Sequence, residues 1–147
     1  MKRLPTKYLA GLIDGEGCID LNISYGKYIR PRVRIALAEP SKFVLDMIQN
    51  TYGGHLYKRE VTNPDWQNSY SWELAGYGQV CCFLRNIKNF LYIKRQQAEF
   101  VLELENLVRG KVLGDEPKRI AREELKLMKK DPHRLSEKAV ERILQVL

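Results

Sequence analysis

The side chains in this sequence that could do chemistry are carboxylates and lysines rather than histidines or cysteines. The 147 residues include 2 histidines and 3 cysteines. None of the cysteines forms a CxxC pair, and a zinc site needs about four well-spaced ligands. The same scarcity argues against a Ser-His-Asp or Cys-His nucleophile, so any catalysis must use carboxylates, lysines or a bound metal ion. We expect Cys18, Cys81 and Cys82 to be buried free thiols.

One carboxylate, that of Glu16, has neighbours that would hold it out from the chain. It lies between Gly15 and Gly17, where helical spacing of apolar residues gives way to strict alternation. We expect the helix to end here, because glycine supplies the backbone freedom that a helix-ending turn needs. A carboxylate on this bend could face a phosphate, and the alternative is a solvated surface glutamate.

The segment before Glu16 is predicted to be a short helix with Thr6 as its N-cap. Gly11 and Gly15 lie four residues apart, on one helical face without side chains. Such a face allows another backbone to approach closely, either from the chain's own core or from a second chain. The apolar positions at helical spacing are Tyr8, Leu9, Leu12 and Ile13.

Two alternating segments after Glu16 predict a β-hairpin with one face in the core and one in solvent. The turn is the sequence Tyr-Gly-Lys-Tyr at residues 25–28. The apolar positions are Ile19, Leu21, Ile23, Val33, Ile35 and Leu37. The opposite face carries Cys18, Asp20, Asn22, Ser24, Arg30, Arg32 and Arg34.

The remaining patterns predict a helix, a second hairpin and further helices. The element order is therefore α-β-β-α-β-β-α with an α-helical tail, an α+β fold. We place the core at residues 1–110 and a helical extension of the same domain at 111–147. The predicted ranges are a helix at 42–51, a hairpin at 55–74, and helices at 79–89, 93–108, 115–130 and 136–146.

Composition favours a polyanionic partner and excludes a membrane protein. The formal net charge is +7, which suits nucleic acid. No apolar run approaches the roughly 18 residues needed to span a bilayer. The N-terminal stretch is too short and too acidic for a signal peptide. We expect an intracellular protein, cytoplasmic or organellar if eukaryotic, with no membrane partner.

Residues 9–17, LAGLIDGEG, closely resemble the motif that names the LAGLIDADG homing endonucleases. The hairpin that follows directly, and the αββαββα order over residues 1–110, are also those of the family. Only one copy of the motif is present, so the resemblance implies a homodimer with two-fold symmetry. The implied dimer interface comprises Leu9, Ala10, Gly11, Leu12, Asp14 and Gly15.

The resemblance also implies an activity, a metal ion and catalytic residues. The activity is Mg²⁺-dependent, site-specific double-strand DNA cleavage, without a small-molecule cofactor. Glu16 is the implied metal ligand, since hard oxygen ligands suit Mg²⁺, with Mn²⁺ or Ca²⁺ as substitutes. Lys94, in a segment that resembles the family's basic one, is implied to stabilise phosphate charge. Glu39 stands where the family often has glutamine, and could bind metal, act as a base or be structural.

The polar faces of the two hairpins are the predicted DNA surface. Arginine suits guanine and asparagine suits adenine in the major groove. A solvated face explains the polarity as well, but three arginines spaced by two should repel unless an anion meets them. The predicted contacts are Asp20, Asn22, Ser24, Lys27, Arg30, Arg32, Arg34, Tyr57, Arg59, Ser69 and Ser71.

Strand length predicts the size of the target. A strand of about 8 to 9 residues spans about 28 Å, which is about 8 base pairs at about 3.4 Å each. Two chains and a central gap then give a pseudopalindromic site of roughly 20 base pairs. The basic residues of the tail are expected to coat solvated helices or touch flanking phosphates: Lys118, Arg119, Arg122, Lys129 and Lys130.

Two other classes of function remain open at this point. A protein with this motif can assist intron RNA splicing as a maturase, or bind DNA as a regulator without cutting it. The acidic residue at position 16 favours the nuclease. A basic structural protein with no nucleic-acid role would require the motif match to be coincidental.

Overall fold

A computed structural model describes residues 2–109 and 111–147. The predicted α+β order is confirmed in these residues, which form helices on a four-stranded antiparallel sheet. The domain boundary placed at residue 110 falls on Gly110, outside the described residues. In chain order the elements are α1 (Thr6–Glu16), β1 (Gly17–Ser24), β2 (Tyr28–Ala38), α2 (Lys42–Tyr52), β3 (His55–Arg59), β4 (Ser69–Ala75), α3 (Tyr77–Ile87), α4 (Arg95–Val108), α5 (Asp115–Lys130) and α6 (Ser136–Leu144).

The sheet has the strand order β1-β2-β4-β3 and two chemically different faces. Residues paired across neighbouring strands share a face, so Ile19, Val33 and Leu74 form one apolar row. Trp72 and Ile35 pair in the next row, and both are fully buried. Buried side chains of α1, α2 and α3 cover this apolar face. The other face is polar and carries most of the predicted DNA contacts.

The junction between α1 and β1 corrects two details of the prediction. Pro5, not Thr6, is the N-cap of α1, and its carbonyl accepts a hydrogen bond from the Leu9 N–H at 3.1 Å. Gly17 starts β1 with an extended backbone at φ −87°, so it is not needed for a left-handed turn. A Cβ at Gly17 would lie 2.8 Å from the Cα of Ile13. Glycine therefore allows a close approach, which folds β1 back against α1.

The C-terminal helices complete a second hydrophobic core. Leu21 and Ile29, at the far end of the first hairpin, pack with Phe100 of α4. Residues of α5 and α6 close this cluster, among them Ile120, Leu125, Met128, Ala139 and Ile143. The extension predicted at 111–147 is therefore packed against the first hairpin. Among residues 2–109 and 111–147, none of the helices has the length and hydrophobicity of a membrane-spanning segment.

Some polar and thiol side chains differ from their expected burial. Lys118 is buried rather than solvated, and its Nζ donates a hydrogen bond to the Lys27 carbonyl at 3.0 Å. This bond ties α5 to the turn of the first hairpin and removes Lys118 from any phosphate contact. All three cysteines are free, but only Cys81 is buried, because Cys18 is half-buried beside Arg34 in the sheet and Cys82 is exposed.

Glu124 is a fully buried carboxylate that links α5 to the segment between α5 and α6. Both of its oxygens accept hydrogen bonds from Arg134 Nη2 at 2.8 Å. Arg142 Nη1 lies 3.5 Å from the same carboxylate. This arrangement satisfies a charge that would be costly to bury alone.

Replacing Glu124 with alanine should destabilise the protein by about 2–3 kcal/mol, because the charged hydrogen bonds of Arg134 are lost. Urea unfolding followed by circular dichroism would measure the change in the free energy of unfolding. The matched control is Glu123→Ala, which removes a half-exposed neighbour that also pairs with Arg142. Exposed ion pairs contribute little, so a loss as large in the control would contradict the assignment.

Candidate active site and nucleic-acid interface

Glu16 is the last residue of α1, and its side chain is exposed. Within the described part of the chain its carboxylate accepts no hydrogen bond and joins no ion pair. Because Gly17 begins β1, Glu16 lies where the motif helix meets the sheet. The carboxylate is therefore available to a group outside the chain.

Asp14 and Lys94 join the end of α1 to the start of α4. The Asp14 carboxylate accepts hydrogen bonds from the backbone N–H groups of Tyr92, Ile93 and Lys94 at 2.8, 3.2 and 3.0 Å. In return, Lys94 Nζ donates to the Asp14 carbonyl at 2.8 Å. The ammonium of Lys94 is thus held against the last turn of α1, at the carbonyl two residues before Glu16. Asp14 therefore holds this junction inside the chain, as a helix-end group would, and its place in a dimer interface stays a prediction.

Glu39 lies at the same end of the sheet as Glu16. It follows β2 in a 3₁₀ turn, Glu39–Ser41, and its backbone N–H donates to the Asn68 carbonyl at 2.9 Å. Gly17 pairs with Ile35, so the ends of α1 and β2 are neighbours. The side chain of Glu39 is exposed.

The carboxylate of Glu16 could serve a metal ion that takes few of its ligands from protein. Among residues 2–109 and 111–147, no group of three or more His, Cys, Asp or Glu side chains could hold a metal ion. Mg²⁺ keeps several waters and needs only one or two carboxylates besides substrate phosphates. The free carboxylate of Glu16 fits that requirement.

One face of α1 is open. A Cβ added at Gly11 or at Gly15 would meet no atom of the described residues within 4 Å, so these glycines do not serve packing within that part of the chain. Leu9 and Ala10 are 3% and 0% exposed and lie in the chain's own core. Their side chains are therefore enclosed by this chain, and their assignment to a dimer interface stays a prediction.

Exposed aromatic and apolar side chains border the open face of α1. Tyr8 lies one turn before Gly11 and is 49% exposed, and Tyr92 is 90% exposed beside the Asp14 junction. Phe90 packs under the ammonium of Lys7, which lies 5.7 Å from the ring centre. We call Tyr8, Gly11, Gly15, Phe90, Tyr92 and Ile93 the motif-helix patch.

The register of the sheet places ten of the eleven predicted DNA contacts on one face, and the eleventh, Lys27, lies in the turn between β1 and β2. Asp20 pairs with Arg32 and Asn22 with Arg30 in the first hairpin. Paired residues continue this face onto the second hairpin, where Tyr57 lies opposite Ser71 and Arg59 opposite Ser69. Glu73 of β4 also lies on this face, where it pairs with Arg34 of β2 on one side and with His55 of β3 on the other. We call this surface the polar sheet face.

The repulsion argument for the three arginines is wrong, because the chain supplies its own anions. Asp20 accepts hydrogen bonds from Arg32 Nε at 2.9 Å and from Arg34 Nη2 at 2.8 Å. Glu73 lies 3.8 Å from Arg32 Nη1. Burial raises the pKa of the Asp20 carboxyl, but the hydrogen bonds and charges of the arginines lower it below its ordinary value. The arginine spacing alone is therefore no argument for DNA.

Sequence reasoning missed that α5 borders the polar sheet face. Arg122, Lys126 and Lys129 form a basic stripe at helical spacing along α5. With Asp20, Asn22 and Arg32 they line a groove of about 210 Å³ beside the edge strand β1. The sequence shows that α5 has an apolar side, but it does not show that this side packs against Leu21 of β1.

Comparisons with known proteins agree with this architecture. The family model described as LAGLIDADG endonuclease matches residues 9–98. The curated proteins give no match. The homing endonuclease I-CvuI, solved with its target in the presence of Ca, aligns with a TM-score of 0.65 and 22% identity over 92% of this chain and 90% of that chain.

Two further solved structures share the fold. I-CvuI with the I-CreI target in the presence of Mg, described as showing DNA not cleaved, aligns with a TM-score of 0.64 and 22% identity over 95% of this chain and 92% of that chain. I-GzeII in complex with its DNA target aligns with a TM-score of 0.60 and 18% identity over 87% of this chain and 44% of that chain. This chain spans less than half of I-GzeII.

Proposed function

The chain belongs to the LAGLIDADG endonuclease family, and from that premise we propose that it is a Mg²⁺-dependent, site-specific double-strand DNA endonuclease acting as a homodimer. The observation that carries this proposal is the position of Glu16. Its carboxylate, which has no partner among residues 2–109 and 111–147, lies at one end of the polar sheet face and beside the open face of α1. A group placed there could meet a duplex and a second chain at once.

Double-stranded DNA is the proposed substrate because the polar sheet face matches a duplex in chemistry and length. Asn22 and Arg30, paired on that face, carry the amide and guanidinium groups that suit adenine and guanine edges. β1 has 8 residues, which at about 3.3 Å each cover about 8 base pairs. Two copies and a central gap give a site of roughly 20 base pairs. The basic stripe of α5 would follow the phosphates beside it.

A homodimer is proposed because one chain offers a single motif helix and a single Glu16. Cutting both strands of a duplex calls for two such carboxylates, which a two-fold axis supplies. The motif-helix patch combines open glycines with exposed aromatic side chains, a composition typical of an interface. Pairing two α1 helices through Gly11 and Gly15 brings both Glu16 residues to the axis.

Glu16, Lys94 and Glu39 would share the proposed chemistry. The carboxylate oxygens of Glu16 would hold the ion, which when bound makes water a stronger nucleophile and neutralises phosphate charge. Lys94, fixed by the Asp14 carbonyl, would stabilise the negative charge that develops on the phosphate. Glu39 would orient a water or take its proton. Mg²⁺ is the proposed ion, with Mn²⁺ or Ca²⁺ as substitutes.

The test is cleavage of a randomised duplex library by the purified protein, with and without Mg²⁺, followed by sequencing of the cut ends. Discrete Mg²⁺-dependent products within one near-palindromic site of roughly 20 base pairs would support the nuclease and the dimer together. Tight, salt-sensitive binding without any cut product would overturn the proposal in favour of a maturase or a DNA-binding regulator. Binding to structured RNA would then separate those two.

A further inference from the structure

We propose that Asp20 is a positioning residue, which fixes Arg32 and Arg34 on the polar sheet face and thereby sets how sharply the protein discriminates between DNA sequences. This inference rests on the proposed function. It replaces the expectation that Asp20 itself contacts DNA, since both of its oxygens are already engaged.

Arg32 is held from two sides. Its Nε and Nη2 donate to the two oxygens of Asp20 at 2.9 and 3.1 Å, a bidentate arrangement. On the other edge, its Nη1 lies 3.8 Å from Glu73. Bidentate arginine–carboxylate pairs are among the strongest and most directional hydrogen bonds in proteins. The guanidinium of Arg32 is therefore oriented before any ligand arrives.

Arg34 is anchored by the same carboxylate. Its Nη2 donates to Asp20 Oδ2 at 2.8 Å, while its Nε is a buried atom without a partner among the described residues. The edge of this guanidinium that carries Nε and Nη2 is therefore held against the protein. The Asp20 side chain is 16% exposed, against 26% for Arg32 and 41% for Arg34, so the anchor lies below the groups it positions.

Enough donors remain free to read a base. A guanidinium carries five N–H groups, and the two that Asp20 takes from Arg32 leave three. Guanine offers two acceptors, O6 and N7, on its major-groove edge. A guanidinium that is already oriented loses less rotamer freedom on binding and tolerates a wrong base less well. Asp20 therefore favours discrimination.

The charge of Asp20 acts in the same direction. Attraction to phosphates is independent of sequence and grows with the number of free cations. Asp20 neutralises one positive charge on the polar sheet face, where Arg32, Arg34 and Lys129 are close to it. It therefore weakens binding to every sequence, while the anchored arginines keep their contacts with the correct one.

The experiment measures Asp20→Asn binding to the selected target, to targets with single substitutions and to random duplex over a range of salt. We expect tighter binding to random duplex, a log–log salt slope steeper by about one, and a target-over-mismatch ratio reduced by about 10-fold. Asp46→Asn is the matched control, because it removes a carboxylate bound to Lys42 at 2.9 Å on α2, away from the polar sheet face. We expect the control to keep the wild-type ratio.

Two more variants separate position from charge. Asp20→Glu restores the charge with a different reach, so the wild-type salt slope should return while discrimination stays reduced. Arg32→Lys keeps the charge but loses the bidentate bond, and it tests the same idea if Asp20→Asn does not fold. Unchanged discrimination in Asp20→Asn, or in Arg32→Lys, would overturn the inference. A wild-type protein that prefers no duplex at all would instead overturn the proposed function.

Discussion

Glu16→Gln should lose DNA cleavage by about 1,000-fold or more, because a neutral amide replaces the one charged ligand offered to the metal. DNA binding should remain close to wild type, since Glu16 lies at the end of the polar sheet face rather than among its paired rows. Single-turnover cleavage of the selected duplex with Mg²⁺ measures the first effect. Fluorescence anisotropy of the same labelled duplex in Ca²⁺ measures the second.

The matched control for this variant is Glu137→Gln on α6, another exposed glutamate of the chain. It makes the same chemical change far along the sequence from the motif, and it should leave both measurements at wild-type values. Cleavage that survives in Glu16→Gln would rule out the metal-ligand role. A parallel loss of binding would show that Glu16 contacts DNA in the ground state.

The sheet could be predicted from the sequence because its period of two is unambiguous. Ile19, Leu21 and Ile23 alternate with Asp20 and Asn22, and a shift of one residue would turn every side chain to the wrong face. The apolar pattern therefore specifies which side chains face the core, and the remaining side chains form the polar sheet face. The end of α1 at Glu16 could be predicted for the same reason, since the change from helical to alternating spacing occurs at that residue.

The sequence did not show which polar groups on that face pair with each other. Asp20 meets Arg32 and Arg34 only because the hairpin brings residues 12 and 14 positions apart into contact. Counting like charges along one strand missed the carboxylate on the neighbouring strand. The pairing of Asp14 with the segment at Lys94, 80 residues away, is equally hidden in the sequence.

The sequence also did not show which side of α1 each residue faces. The apolar residues of LAGLIDGEG were assigned together to a partner interface, but Leu9 and Ala10 face inward while Gly11 and Gly15 face outward. In a helix that packs on both sides, apolar composition does not distinguish the two contacts. The C-terminal helices show a related limit, because their apolar stripe gave no indication that Leu21 was its partner.

Gly11→Leu should convert the dimer to a monomer and abolish double-strand cleavage without unfolding the chain. The new side chain meets no atom within 4 Å at its Cβ inside the chain, and leucine is a better helix former than glycine by about 0.8 kcal/mol. The isolated chain should therefore be as stable as wild type or more so. In the proposed dimer, however, the same side chain would hold two α1 helices apart. Analytical ultracentrifugation and thermal unfolding measure these opposite effects.

Gly78→Leu is the matched control, because Gly78 lies in α3 and a Cβ there also meets nothing within 4 Å. It should remain dimeric and cleave like wild type. A Gly11→Leu protein that stays dimeric and cuts DNA would exclude the open face of α1 as the interface. A Gly11→Leu variant that is monomeric and stable, and that still binds half of the site, would have lost cleavage through assembly and not through folding or DNA recognition. That result would identify the open face of α1 as the contact that brings two Glu16 carboxylates to one duplex.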